Sequence, residues 1–225
     1  MNSLQKILKK IYEPSLSESV SRVLFPTSIS LKQGLFLQKI TEKYKPKKII
    51  EIGFGYGISS IWINSAKHQS LIHYIVDPNR PMPEYNSIFT FLTNFEHILF
   101  VQTESQVFLA KAYEKKELFD FIFIDGDERF DGITTDLYFS CKVLRKNGLI
   151  LVRNIWNPSV RKSLLFYIKN LPLEIEGITK LENFFIKKIP YFDQLILRIR
   201  HKKYDFCILK LKAATERKWN HYVPF

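Results

Sequence analysis

The sequence is poor in the residues that build covalent or metal frameworks. Two cysteines, Cys141 and Cys207, stand in 225 residues. That excludes a disulfide scaffold and a zinc cluster, and it fits two reduced thiols packed as small apolar groups. Neither thiol follows a proline, and nothing marks either as a nucleophile. Long apolar runs are also missing: no stretch reaches the roughly 18 residues that a membrane span needs. The first ten residues, MNSLQKILKK, lack the apolar block of a secretory signal. These absences together give the expectation of a cytoplasmic protein. Acid is in deficit, with 22 Asp and Glu against 34 Lys and Arg, for a net charge of +12. No arginine-glycine tract or nucleic-acid module accompanies the excess. The densest runs, 43–48 (KYKPKK) and 198–203 (RIRHKK), read as solvated basic surface. RNA and acidic small molecules stay open as partners.

What is present is ordinary for a folded α/β domain. Apolar residues make up 46% and charged residues 25% of the chain, and nineteen Phe and eleven Tyr promise an aromatic core. Residues 1–30 read as a helical appendage, with Leu4, Ile7, Leu8 and Ile11 at helical spacing. Residues 31–225 read as one domain. Ser30 and Gln33 carry the capping-box pattern. Leu31, Leu35, Ile40 and Tyr44 follow as the expected apolar face, and Pro46 ends the helix. Short apolar strands are expected at Ile49–Ile52, Leu71–Val76, Ile98–Val101, Phe119–Ile124 and Leu149–Val152, each separated by a stretch of helical length. Ile133, Leu137, Cys141 and Leu144 mark one helix, ended by Asn147-Gly148; Pro158 opens another, with Val160, Leu164, Leu165 and Ile168 as its buried side. Further on, Phe184–Ile189 and Phe206–Leu211 look like strands, and Gln194–Ile199 is ambiguous. The β-α-β-α order implies a doubly wound, mostly parallel sheet, whose ligands bind beyond the carboxyl ends of its strands.

Two features carry chemistry. The run Glu51-Ile52-Gly53-Phe54-Gly55-Tyr56-Gly57 leaves the first strand and enters a helix through Ile58 and Ser59. Glycines there let the backbone turn sharply, and the helix start offers free N–H groups. A dinucleotide loop would place its third glycine at position 58, which is Ile58. The observed G-x-G-x-G spacing, with Glu51 two residues ahead, suits a ligand with a cationic amino group better than a pyrophosphate. The second feature is Asp77-Pro78, closing the second strand. A carboxylate at that point can accept hydrogen bonds from both hydroxyls of a ribose; the alternative is a simple strand-end turn.

The loop and the acid together resemble the class I S-adenosylmethionine-dependent methyltransferases, whose Rossmann-like fold has a seven-stranded sheet. The resemblance implies cofactor contacts from Glu51, Gly53, Phe54, Gly55, Tyr56, Gly57 and Ser59, and from Asp77 and Pro78. Glu104 and Ser105, after the third strand, look like the segment that borders the adenine. Residues 119–127 (FDFIFIDGD) are similar to the fourth-strand motif of the small-molecule O-methyltransferase branch, which adds Asp125. The likeness continues through Leu144, Gly148 and Ile155-Trp156-Asn157-Pro158, and the closing WNHYVPF resembles the tail of bacterial members. The resemblance implies S-adenosylmethionine as cofactor, a small-molecule acceptor methylated at oxygen, and compatibility with a homodimer.

Two departures mark this chain. Glu128 stands where family members often have His. Arg153-Asn154 stands where metal-dependent relatives have an acidic pair or Asp-Asn. A fixed cation should repel Mg²⁺, so no metal is expected. Glu128 or Asp127 is the candidate general base, and Arg153 either binds an acidic acceptor or pairs with Asp125. An RNA methyltransferase and a catalytically inactive cofactor-binding protein remain the alternatives.

Overall fold

The computed structural model describes residues 28–66, 71–79, 81, 86–180 and 204–213. The elements in chain order are α1 (Leu31–Tyr44), β1 (Lys48–Ile52), α2 (Ile58–Ser65), β2 (Ile72–Asp77), α3 (Asn86–Thr93), β3 (Ile98–Gln102), α4 (Ser105–Glu114), β4 (Phe119–Ile124), α5 (Phe130–Val143), β5 (Leu144–Val152), α6 (Pro158–Asn170), β6 (Leu173–Lys180) and β7 (Tyr204–Leu211). Seven strands form one sheet in the order β3-β2-β1-β4-β5-β7-β6. The first five run parallel, and β7 enters antiparallel between β5 and β6. This is the doubly wound sheet expected from the strand–helix alternation.

The near-continuous apolar strands follow from burial on both faces. Ile50, Ile52, Ile122, Ile124, Ile150 and Val152 point to one side and pack under α4, α5 and α6. Ile49, Phe121, Phe123, Leu149 and Leu151 point to the other, beneath α1 and α2. The parallel register sets Ile52 beside Val76 and Ile124, and Ile124 beside Val152. The residues that follow these ends, Gly53, Asp77, Asp125 and Arg153, therefore form one crest. Backbone bonds run past the strand ends and hold that crest: Gly53 N to Val76 O at 2.9 Å, Asp125 N to Ile52 O at 2.9 Å and Arg153 N to Ile124 O at 3.1 Å.

Several local expectations need correction. The capping box of α1 is present, but its buried face runs through Gln33, Phe36, Leu37, Ile40 and Thr41, while Leu31 is exposed. Helix α5 ends at Val143, before Asn147-Gly148, because Leu144 already pairs with Phe119 of β4. Helix α6 begins as expected with Pro158 behind an Asn157 cap, and it buries Val160, Ser163, Leu164 and Tyr167; Leu165 and Ile168 are half-buried. Strand β6 was not anticipated. The strand expected at Phe184–Ile189, the ambiguous Gln194–Ile199, the closing WNHYVPF and the appendage up to residue 27 lie outside the described residues.

Candidate functional site

The crest is shaped first by glycine. Gly53 has φ +92°, and a Cβ there would sit 2.4 Å from the carbonyl oxygen of Asp125. The β1–α2 turn can thus lie against the end of β4 only with glycine at this position. Gly55, at φ +52°, has open space where a side chain would begin. Gly57 supplies the start of α2 at φ +74°.

Asp77 is bound directly to this turn. Its Oδ2 accepts from Phe54 N at 2.8 Å, and its Oδ1 accepts from Asn79 N at 2.8 Å. The glycine turn and the second-strand acid, twenty residues apart in sequence, are therefore in direct contact. Beside them lies a cavity of about 450 Å³, which Asp77 does not itself line. Its lining includes eight of the residues singled out in the sequence: Gly53, Phe54, Gly55, Tyr56, Ser59, Asp125, Glu128 and Arg153. Ser28, Ile29, Asn154 and Trp156 complete much of the wall.

The cavity's ionisable groups form a linked set. Arg153 Nη1 donates to both oxygens of Asp125, at 2.8 and 3.2 Å. On its other side Arg153 Nε lies 3.9 Å from Asp205 Oδ1, and its Nη2 donates to Ser28 O at 3.4 Å. Asp205 also accepts from the side chain of Gln33 on α1. Burial pushes the Asp125 carboxyl up to about 7 against the opposing pull of Arg153. Burial raises Asp205 as well. Glu128 is oriented by two amides: Oε1 accepts from Asn154 Nδ2 at 2.6 Å and Oε2 from Asn157 Nδ2 at 2.8 Å. Asn154 adopts a left-handed φ of +57° and accepts from Trp156 Nε1 at 3.3 Å.

Other sequence candidates fall outside this cavity. Glu51 is fully buried beneath the turn, where its Oε2 accepts from Ser60 Oγ at 2.6 Å and lies 3.1 Å from His73 Nε2. It is the inner support of the turn rather than a wall of the cavity. Asp127 is half-buried, and Arg129 bonds both of its oxygens and holds its carboxyl below the usual range. Ser105 Oγ donates to the buried Asp136 Oδ1 at 2.6 Å; Glu104 and Pro78 are exposed. Gly57 stands behind the turn.

Gln33 and Asp205 were missed by sequence reasoning. The signal for Asp205 was available: an acid two residues before the apolar run Cys207-Ile208-Leu209. Its meaning depends on the antiparallel entry of β7, which pairs Cys207 with Val152 and brings Asp205 onto the crest.

The donor set tests the metal question. Asp125 and Asn154 are present, but the guanidinium of Arg153 lies between Asp125 and Asp205. Among the described residues no group of three or more His, Cys, Asp or Glu is arranged to hold a metal ion. These residues do not fit a divalent cation.

Comparison with known proteins is consistent with this geometry. Residues 50–155 match a family model described as a methyltransferase domain. No curated relative matches the chain in sequence. Among solved structures it is similar to an O-methyltransferase from Bacillus cereus in complex with SAH, with TM-score 0.63 and 18% identity, covering 93% of this chain and 90% of that one. It is also similar to the O-methyltransferase TomG from Streptomyces achromogenes, in complex with SAM and involved in tomaymycin synthesis, with TM-score 0.60, 17% identity and coverage of 94% and 96%. The SAH-bound methyltransferase PaMTH1 of Podospora anserina follows, with TM-score 0.61, 15% identity and coverage of 95% and 97%. Residues 50–155 thus match a methyltransferase domain model, and the whole chain shares the Rossmann-like fold of these structures.

Proposed function

We propose that this methyltransferase-fold chain uses S-adenosylmethionine to methylate a small molecule at oxygen. One observation supports the reading: Asp77 bonds the backbone of the glycine turn, which puts the acid proposed for the ribose directly beside the turn proposed for the methionyl part. The relatives of this fold that hold SAM or SAH point the same way. The residues fit the cofactor. Gly55 leaves room where a side chain would stand, Ser59 lines the same cavity, and Asp77 retains lone pairs for ribose hydroxyls. When bound, the cofactor supplies a methyl group on a sulfonium, a good leaving group.

The chain's own task is to align an acceptor hydroxyl, exclude water and take its proton. Glu128 is the group for that proton. Its carboxylate lines the cavity and is aimed by Asn154 and Asn157. Asp127, the other candidate, is held by Arg129. Arg153 is engaged by Asp125 and Asp205, and it acts as a fixed internal cation that braces the ends of β4, β5 and β7. Trp156, Tyr56 and Ile29 give the rest of the cavity an apolar, partly aromatic wall suited to a small acceptor.

Calorimetric titration of the chain with S-adenosylhomocysteine tests the cofactor; absence of affinity removes the reading. Glu128→Gln tests the base. Turnover should fall about 10²-fold or more while affinity for S-adenosylhomocysteine is retained, and unchanged turnover removes Glu128 from that role.

A further inference from the structure

The opposite end of the sheet holds a second concavity that the cofactor crevice does not explain. The link Tyr44–Lys47 between α1 and β1 meets the start of β4 and the turn Arg145–Leu149 of β5 around a cavity of about 330 Å³. It sits at the amino ends of the parallel strands whose carboxyl ends form the crevice. The six residues of β4 separate the two by about 15–20 Å.

The floor of this cavity is apolar: Pro46, Phe121 and Leu149 are buried, and the Tyr44 ring lies beside them. Its rim is cationic. Lys45, Lys47, Arg145 and Lys146 are all exposed. One carboxylate lines it, Asp120, and that group already accepts from Lys47 N at 3.0 Å, Lys48 N at 2.9 Å and Arg145 Nη1 at 3.2 Å. Lys45, Lys47 and Lys146 make no ion pair with a described residue. Lys43, the next cation along, lies over the Tyr44 ring at 4.7 Å. Lys43, Lys45 and Lys47 of the basic run 43–48 are solvent-exposed as expected, and Tyr44–Lys47 also line this hollow. Three ammonium groups border this hollow and make its potential positive, while the Arg145 guanidinium is offset by Asp120.

An apolar floor under a cationic rim suits a flat ring that carries phosphate. We propose that this pocket binds a nucleotide through its phosphates, with the base against Tyr44 and Pro46, at a site separate from the methyl-transfer crevice. The nucleotide can be free or part of single-stranded RNA. Lys115 and Lys116, which precede β4, would extend the track for linked phosphates; Glu117 beside them bonds Lys48. RNA held here would lie at the far end of the sheet from the cavity containing Glu128, so it would dock the protein without being its methyl acceptor.

The test uses the full chain saturated with S-adenosylhomocysteine, so that no nucleotide enters the crevice. UTP, tripolyphosphate and a single-stranded oligouridylate are titrated at low and at high salt. UTP or the oligonucleotide should bind at low salt, more tightly than tripolyphosphate, with affinity falling steeply as salt rises. The Lys47→Glu, Lys146→Glu double variant should weaken that binding about tenfold or more, with the affinity for S-adenosylhomocysteine and the melting temperature unchanged. Tighter binding of UTP than of the oligonucleotide assigns the site to free nucleotides; the reverse order assigns it to RNA. The proposal is overturned if neither binds at low salt, if tripolyphosphate binds as well as UTP, or if the double variant binds undiminished. Should S-adenosylhomocysteine itself fail to bind, the same titrations on the unliganded chain still locate the site through the double variant, and that failure counts only against the methyltransferase reading.

Discussion

At the scale of single residues, the buried carboxyls decide how stability follows pH. Asp136 is 1% exposed; Ser105 donates to its Oδ1, and burial pushes its carboxyl from 3.8 up to about 7. Asp125 is raised to about 7 as well. A carboxyl whose folded pKa lies above its unfolded value binds its proton more tightly when folded. Its stabilising share is complete below the unfolded value and is lost as pH rises through the folded one. The window for both groups is thus from about 4 to about 7. For Asp136 a shift of this size corresponds to on the order of 2–4 kcal/mol. Urea unfolding should therefore show the wild-type chain losing stability between about pH 4 and about pH 7. Asp136→Asn should lose less over the same interval; an unchanged slope would show that Asp136 ionises normally in the folded chain. Arg153→Met removes the cation between two buried acids. It should lower stability at neutral pH by about 3–5 kcal/mol, because Asp125 and Asp205 would then face each other uncompensated. The same variant should recover much of the difference in acid, where both carboxyls are protonated, and a deficit independent of pH would contradict this account.

At the scale of elements, what could be read from sequence was what repeats with a fixed period. Strands β1 to β5 are solid apolar blocks because both faces of a parallel strand are covered, so they were legible. The capped start of α1 and the Asn157-Pro158 start of α6 were legible because their chemistry is local. Strand β6 was not, since Leu173, Ile175 and Ile178 are buried around interposed glutamates, and the register shifts at Gly177 break the alternation. In α1 the expected apolar face was rotated by contacts no periodicity reveals: Gln33 turns inward to Asp205, and Gly34 turns toward Trp62 of α2. That second contact opposes two effects of known size. Gly34→Ala should favour the helix by about 1 kcal/mol. Yet a Cβ there would lie 2.0 Å from Trp62 Nε1, and that indole is itself buried. Overpacking of this kind destabilises by about 1–3 kcal/mol. The collision should win, and Gly34→Ala should unfold at lower urea concentration than wild type; a higher midpoint would mean that α1 can move off α2 freely.

At the scale of the whole molecule, the candidate site was legible where one element carries it and obscure where several must meet. Gly53 and Asp125 directly follow strand ends that the register aligns, and Gly55 lies in the adjoining turn, so their spacing was legible in the sequence. Glu51 carried the right residue type for the motif but faces His73 inside the core, because alternation along β1 sends it beneath the sheet's crest. Asp205 reaches the crest only through the antiparallel seventh strand. The result is a cavity assembled from the segments that follow β1, β4 and β5, braced from β2 by Asp77 and from β7 by Asp205, so a ligand held there should stabilise the entire fold. At a concentration about 100-fold above its dissociation constant, S-adenosylhomocysteine should add about 2.7 kcal/mol. In a chain of this size that raises the melting temperature by roughly 5–10 °C. Asp77→Ala removes both the bond to Phe54 N and the acid proposed for the ribose. It should shrink this ligand-induced rise by more than it lowers the melting temperature of the unliganded chain, because the loop keeps its other anchor at Gly53 N to Val76 O. Equal rises in the two proteins would show that Asp77 serves the turn alone and that the ribose is held elsewhere.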